Sequence, residues 1–217
     1  LPVGFRKNRL EALQDGIFAV ALTLLAIDLR LPAGLTLREV STQLLALVPS
    51  LDVYAVTFAF IVVVWLYVYS FQEVVTRQDI VGATLVLAAS AGVALLPFTS
   101  STFARYPSSQ IAGHFFVLNI VTIVVIYIVY DEYAIHRLIP QVVDRRLLKI
   151  YSTIIWMAAI YIAFVDALIV PYRPSWILPA VAAGFVYAYV CIFILHGRFV
   201  AEQDRISQGE DKASRAG

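Results

Sequence analysis

Five long stretches of the chain carry no Asp, Glu, Lys or Arg: residues 53–72, 80–104, 106–130, 150–165 and 174–197. A helix needs roughly 20 apolar residues to cross about 30 Å of hydrocarbon. The stretches therefore predict spans at about 53–71, 79–98, 110–130, 149–169 and 175–196, with Asp166 near the end of the 149–169 span. Lipid offers no partner to an open N–H or C=O, so each span has to be helical. A sixth span is predicted at about 10–31, although only residues 16–27 are uncharged there, between Asp15 and Asp28. Arg6, Lys7 and Arg9 also give that front the basic region of a signal peptide, but Asp15 interrupts the apolar core and no small-residue cleavage site follows. The expectation is an all-α membrane protein with six transmembrane helices, forming one domain over residues 1–201, followed by a polar, aperiodic tail over 202–217.

Between the first two spans, Thr36-Leu37-Arg38-Glu39 has capping-box spacing. Leu37, Val40, Leu44, Leu45 and Val48 then recur at helical intervals, which predicts a short amphipathic helix ended by Pro49 and Ser50. Tyr67, Tyr69, Tyr130, Tyr133, Tyr172 and Trp176 stand near span ends, where interfacial belts form.

Composition agrees with this pattern and narrows the classes. Of 217 residues, 61% are hydrophobic and 14% charged, against about 45–50% and 25% in soluble domains. Mean hydropathy is +0.83. Too few charges remain to cover a soluble enzyme's surface, and far too many apolar residues for a disordered chain. A net charge of +1 supplies no basic face for nucleic acid. The single cysteine, Cys191, excludes an intramolecular disulfide and reads as a small buried filler.

Lys and Arg in the short loops set the orientation. With a cytoplasmic N-terminus, the inside set is Arg6, Lys7, Arg9, Arg77, Arg137, Arg145, Arg146, Lys149, Arg198, Arg205, Lys212 and Arg215. The outside set is only Arg30, Arg38, Arg105 and Arg173. Both termini are therefore expected to be cytoplasmic, in a multi-pass protein of the cell (plasma or inner) membrane.

The first helix differs from the rest. A carboxylate in a membrane helix costs about 2.5–3.5 kcal/mol at the bilayer centre, and less towards the ends, where Asp15 falls. Arg9 is too far around the helix to pair with it, so a partner from another helix or subunit is expected. At about 100° per residue, Gly16, Val20, Thr23, Leu24, Ile27 and Leu31 fall on one stripe within roughly 80–180° of Asp15. Such a stripe of small and branched residues suits helix–helix packing, and its spacing alone does not distinguish packing from a pore wall.

The run from Arg9 through Asp15 to Leu25, Arg-Leu-Glu-Ala-Leu-Gln-Asp-Gly-Ile-Phe-Ala-Val-Ala-Leu-Thr-Leu-Leu, resembles the opening helix of the transmembrane protein 175 family, the lysosomal potassium channel with its bacterial homologues. Leu47-Val48-Pro49, Trp65 and Leu96-Pro97-Phe98-Thr99 add to the resemblance, in the same order along the chain. The family's Phe-Ser before the aspartate is Leu13-Gln14 here, its usual Ile five residues after the aspartate is Val20, and Val68 and Tyr69 stand where a His often follows the Trp. The resemblance implies a single-repeat, bacterial-type channel, a homotetramer in the bilayer with its pore lined by the first helix. It implies Val20, Leu24 and Ile27 as hydrophobic constrictions, Thr23 as a polar ring, and Arg9, Gln14 and Asp15 as a network at the cytoplasmic end. The permeant ion would be K+, with no cofactor, no resident metal and no enzymatic activity.

Two other readings compete. A secondary transporter of a small ion or solute asks for broken helices around a midplane site, yet Pro97, Pro171, Pro174 and Pro179 fall near span ends. An intramembrane protease is faintly suggested by Ala88-Ala89-Ser90-Ala91-Gly92, but neither His114 nor His196 is spaced to serve Ser90 as a base. His136 reads as a surface residue, Asn119 as a hydrogen-bonding residue between helices, and Asp166 as reaching water or Arg173.

Overall fold

A computed structural model describes residues 7–27, 29–31, 33–139, 145–169, 176–187, 189–191 and 193. Among them the regular elements are helices: α1 (Lys7–Ile27), α2 (Leu37–Ala46), α3 (Val48–Gln72), α4 (Ile80–Arg105), α5 (Gln110–Arg137) and α6 (Arg145–Ile169). A shorter apolar helix, Ile177–Cys191, follows. Of these, α1, α3, α4 and α5 are long and apolar enough to cross a membrane. The tail expected at 202–217, together with Asp28, Arg173 and His196, lies outside the described residues, as does the Asp166 side chain.

The helices outrun the charge-free windows because a helix does not have to stop where hydrocarbon stops. The α5 helix continues past Tyr130 to Arg137. Two proline expectations are corrected. Pro49 does not end α2; the break falls at Leu47, and Pro49 occupies the first turn of α3. No helical hydrogen bond is expected of an N–H in a first turn, and the fixed φ of proline suits it. Pro97 likewise does not close its helix, which runs on to Arg105. The hydroxyls of Thr99 and Ser100 donate to the carbonyls of Leu96 and Pro97, each at 3.2 Å, just past the missing N–H.

The capping signals of the loops take physical form. The Thr36 backbone N–H and hydroxyl donate to Glu39 Oε2 at 2.8 and 2.7 Å, and these bonds hold the Glu39 carboxyl below its usual range. Asp79 caps α4 by accepting from the Gly82 N–H at 2.8 Å, and Ser109 caps α5 by accepting from Ala112 at 3.3 Å.

The centre of the fold is the α4–α5 pair, with α1 packed on α4 and α3, and α6 on α5. Val93 and Leu96 of α4 are buried with Phe116, Ile120 and Ile123 of α5. Gly92 lets the two helices close: a Cβ there would stand 2.6 Å from Ile123 Cγ1. Asn119 bridges the helices as expected, donating from Nδ2 to the Gly92 carbonyl and to Thr99 Oγ1, each at 3.3 Å. Cys191, expected to be a buried filler, is only half-buried.

Candidate functional site

The α1 helix has two unlike faces. Leu10, Gln14, Phe18, Ala21 and Leu25, spaced by three or four residues, are its buried side. On the other side Gly16, Val20, Thr23, Leu24 and Ile27 are uncovered, with Val20 56%, Leu24 41% and Ile27 44% exposed. A Cβ built on Gly16 would meet nothing within 4 Å. The stripe found in the sequence is thus not a packing face within this chain. A groove of about 360 Å³ runs along it, lined by Leu13, Gly16, Val20 and Leu24 and by Ala94 of α4.

Thr23 is the hydroxyl on this face. It donates to its own helix, to the Val20 carbonyl at 2.8 Å. That back-bond spends the proton and leaves the oxygen lone pairs as acceptors at the exposed surface.

Arg9, Gln14 and Asp15 do not share partners. Consecutive helical residues diverge by about 100°, so Gln14 and Asp15 cannot serve the same neighbours. Asp15 is exposed and accepts from Trp65 Nε1 of α3 at 2.9 Å, a partner from another helix. Gln14, only 2% exposed, donates to the Tyr127 hydroxyl of α5 at 2.8 Å and accepts from Gln72 Nε2 of α3 at 2.6 Å. One side chain therefore ties three helices. Arg9 is exposed.

Beside Gln14 lies a polar cluster that the sequence reading missed. Gln78 Nε2 donates to the Tyr130 hydroxyl at 2.5 Å, the Tyr67 hydroxyl bonds Asp131 Oδ2, and the Tyr133 hydroxyl bonds Asp79. Asp131 is fully buried, and its other carboxylate oxygen has no partner among the described residues. Burial opposes the charge on Asp79, but hydrogen bonds from Tyr133 and from the Gly82 N–H outweigh it and hold that carboxyl below the usual 3.8. At the same end, Arg77 Nη2 donates to the Arg137 carbonyl at 3.0 Å. The available signal was Tyr127, Tyr130, Asp131 and Tyr133 recurring on one helix beside Gln72 and Gln78. Counting charge-free residues stops one position short of Asp131.

The residues weighed for other chemistries have ordinary places. The Ser90 hydroxyl is buried and donates to the Val86 carbonyl at 2.8 Å. His136 is exposed, 3.7 Å from Glu132.

Several apolar helices of membrane-crossing length, joined by capped turns, define a multi-pass α-helical membrane protein. The family described as the endosomal/lysosomal potassium channel TMEM175 matches over residues 9–97. A potassium channel of Chamaesiphon minutus is 27% identical over 199 residues, covering 85% of this chain and 87% of that protein. A potassium channel of Streptomyces collinus is 32% identical over 107 residues, 49% of this chain and 52% of that protein. The fold is shared with the crystal structure of a lysosomal potassium-selective channel TMEM175 homolog from Chamaesiphon minutus, at a TM-score of 0.67 and 21% identity, over 88% of this chain and 97% of that one. The chain is thus similar to the TMEM175 family in its first 97 residues and to that family's bacterial members in fold.

Proposed function

We propose that this chain is one subunit of a potassium-permeable cation channel, a homotetramer with six membrane spans per chain and a pore walled by α1. The observation that carries the reading is the uncovered stripe of α1, whose opposite face is buried in its own chain. One helix cannot enclose a path, whereas copies arranged around a closed axis can. The related proteins named as potassium channels supply the ion.

In such an assembly, rings of Val20, Leu24 and Ile27 form a neck that gates by dewetting. No TVGYG loop exists in the sequence to replace the hydration shell with carbonyls. An ion crossing the neck is partly dehydrated, and potassium gives up water at lower cost than sodium, so the neck prefers it modestly. Thr23 oxygens, their protons already spent on the Val20 carbonyls, accept the cation between the apolar rings. Asp15 at one mouth raises the local cation concentration. Arg77 and Arg137 meet at one end of the bundle, in keeping with both belonging to the cytoplasmic side of a plasma or inner membrane. The channel acts without cofactor or catalysis.

The transporter reading calls for discontinuous helices at the midplane. Instead α4 runs unbroken through Pro97.

The test is cation flux from liposomes holding the purified protein, with potassium, sodium and an impermeant cation compared, for the native chain, Ile27→Ala and Thr23→Val. Potassium-favouring flux that quickens in Ile27→Ala and loses selectivity in Thr23→Val is expected. Saturable flux that needs a co-substrate and ignores both changes would establish a transporter.

A further inference from the structure

Where α1 and α4 end and α3 begins, the helices leave a pocket of about 130 Å³ between them. Leu25 and Leu29 form its apolar side, and Ser50, Tyr54, Ser101 and Arg105 its polar side. Most hydroxyls in these helices are spent on their own backbone, as Thr57 is on Val53 and Ser100, in the same pocket, is on Pro97. The hydroxyls of Ser50, Tyr54 and Ser101 and the Arg105 guanidinium, by contrast, have no hydrogen-bond or ion-pair partner among the described residues. Among the described residues, no Asp or Glu lines the pocket. A concave site that gathers a guanidinium and three idle hydroxyls, with no carboxylate in its described lining, suits an oxyanion, and guanidinium geometry matches phosphate oxygens in particular.

We propose that this pocket binds a phosphate group, and that the phosphodiester of an anionic phospholipid headgroup is its occupant. Its place at the ends of three helices of which α1, α3 and α4 each have membrane-crossing length puts it at headgroup level. The leucine side suits the first carbons of a lipid better than it suits a free ion in water. Occupancy would brace the end of α1, because Leu25 and Leu29 form one wall. The inference goes beyond the channel reading and holds whether or not α1 lines a pore.

The experiment counts lipid retained on the purified chain in a nonionic detergent by native mass spectrometry. The probes are phosphatidylglycerol, phosphatidylcholine and inorganic phosphate. Phosphatidylglycerol should be retained above phosphatidylcholine, with affinity falling about tenfold in Arg105→Gln, as loss of a charge-assisted contact predicts. Arg30→Gln serves as the control, since Arg30 is near the same end but bonds the Ile27 carbonyl and does not line the pocket. Ser101→Ala should weaken retention less, and it keeps the test open if Arg105→Gln fails to fold. Inorganic phosphate that binds with the same Arg105 dependence and displaces the lipid would leave the phosphate site standing and transfer it to a soluble ligand. Retention indifferent to Arg105→Gln and Ser101→Ala, or no binding of either probe by the folded native chain, would overturn the proposal.

Discussion

The Trp65 indole nitrogen stands 2.9 Å from Asp15 Oδ1, and through it α3 holds the carboxylate of α1. A lone carboxylate near a membrane helix end is costly, and an indole N–H satisfies one oxygen without bringing a second charge. Trp65→Phe keeps the ring and removes the donor. Because Asp15 is exposed, the loss should be modest, about 0.5–1.5 kcal/mol. Asp15→Asn, which keeps an acceptor oxygen, should lose less than Asp15→Leu. Thermal unfolding in detergent, compared across the three variants, checks the order. Asp15→Leu matching the native chain would show that the bond contributes nothing.

Gln14 serves Tyr127 and Gln72 at once. Hydrogen bonds between membrane helices average about 0.6 kcal/mol in double-mutant cycles, but truncation here strands two buried groups rather than one. Gln14→Leu should therefore destabilise by about 1–3 kcal/mol. Adding Tyr127→Phe should restore part of that loss, since the stranded hydroxyl goes with it. Strictly additive losses in the double variant would mean that the two side chains do not act together.

The division between what could be read from the sequence and what could not follows from the kind of signal each feature leaves. The α1 stripe was legible because three- and four-residue recurrence survives in any helix. The helical, multi-span class was legible because runs without charge leave lipid-crossing helices as the available form, and four such helices are found among the described residues. Gln14 was grouped with Arg9 and Asp15 on resemblance, yet its partners lie far along the chain on α3 and α5. Nothing local specifies such a contact. Pro97 was placed near a span end because the predicted span stopped at about residue 98. A long helix held on several sides by α1, α3 and α5 absorbs one missing hydrogen bond and continues.

Asp79 links stability to acidity. Its folded carboxyl lies below the usual 3.8, owing to the Tyr133 hydroxyl and the Gly82 N–H outweighing burial. A lowered folded pKa means that the stabilisation is fully present above the unfolded value and is lost as pH falls through the folded one. Stability should therefore decline from about pH 4 downward. Asp79→Asn retains a helix cap and should remove that part of the acid sensitivity, whereas Asp79→Ala should cost about 1 kcal/mol at neutral pH as well. Unfolding midpoints measured between pH 3 and 7 check this, and an unchanged acid limb in Asp79→Asn would assign it to other carboxylates.

Two glycines should respond in opposite directions to the same methyl group. At Gly92 the new carbon would stand 2.6 Å from Ile123 Cγ1, across the contact of α4 with α5, so Gly92→Ala should cost about 1–3 kcal/mol through overpacking. At Gly16 the new carbon meets nothing within 4 Å, and removing a helical glycine gains up to about 1 kcal/mol. Gly16→Ala should therefore stabilise the single chain. If α1 faces its copies across a pore, that methyl group lies in their path, and the same variant should change flux or assembly while the fold grows firmer. Thermal unfolding and liposome flux, measured on one preparation, separate the two effects. A Gly16→Ala chain that gains stability and conducts unchanged would place the uncovered face against lipid instead.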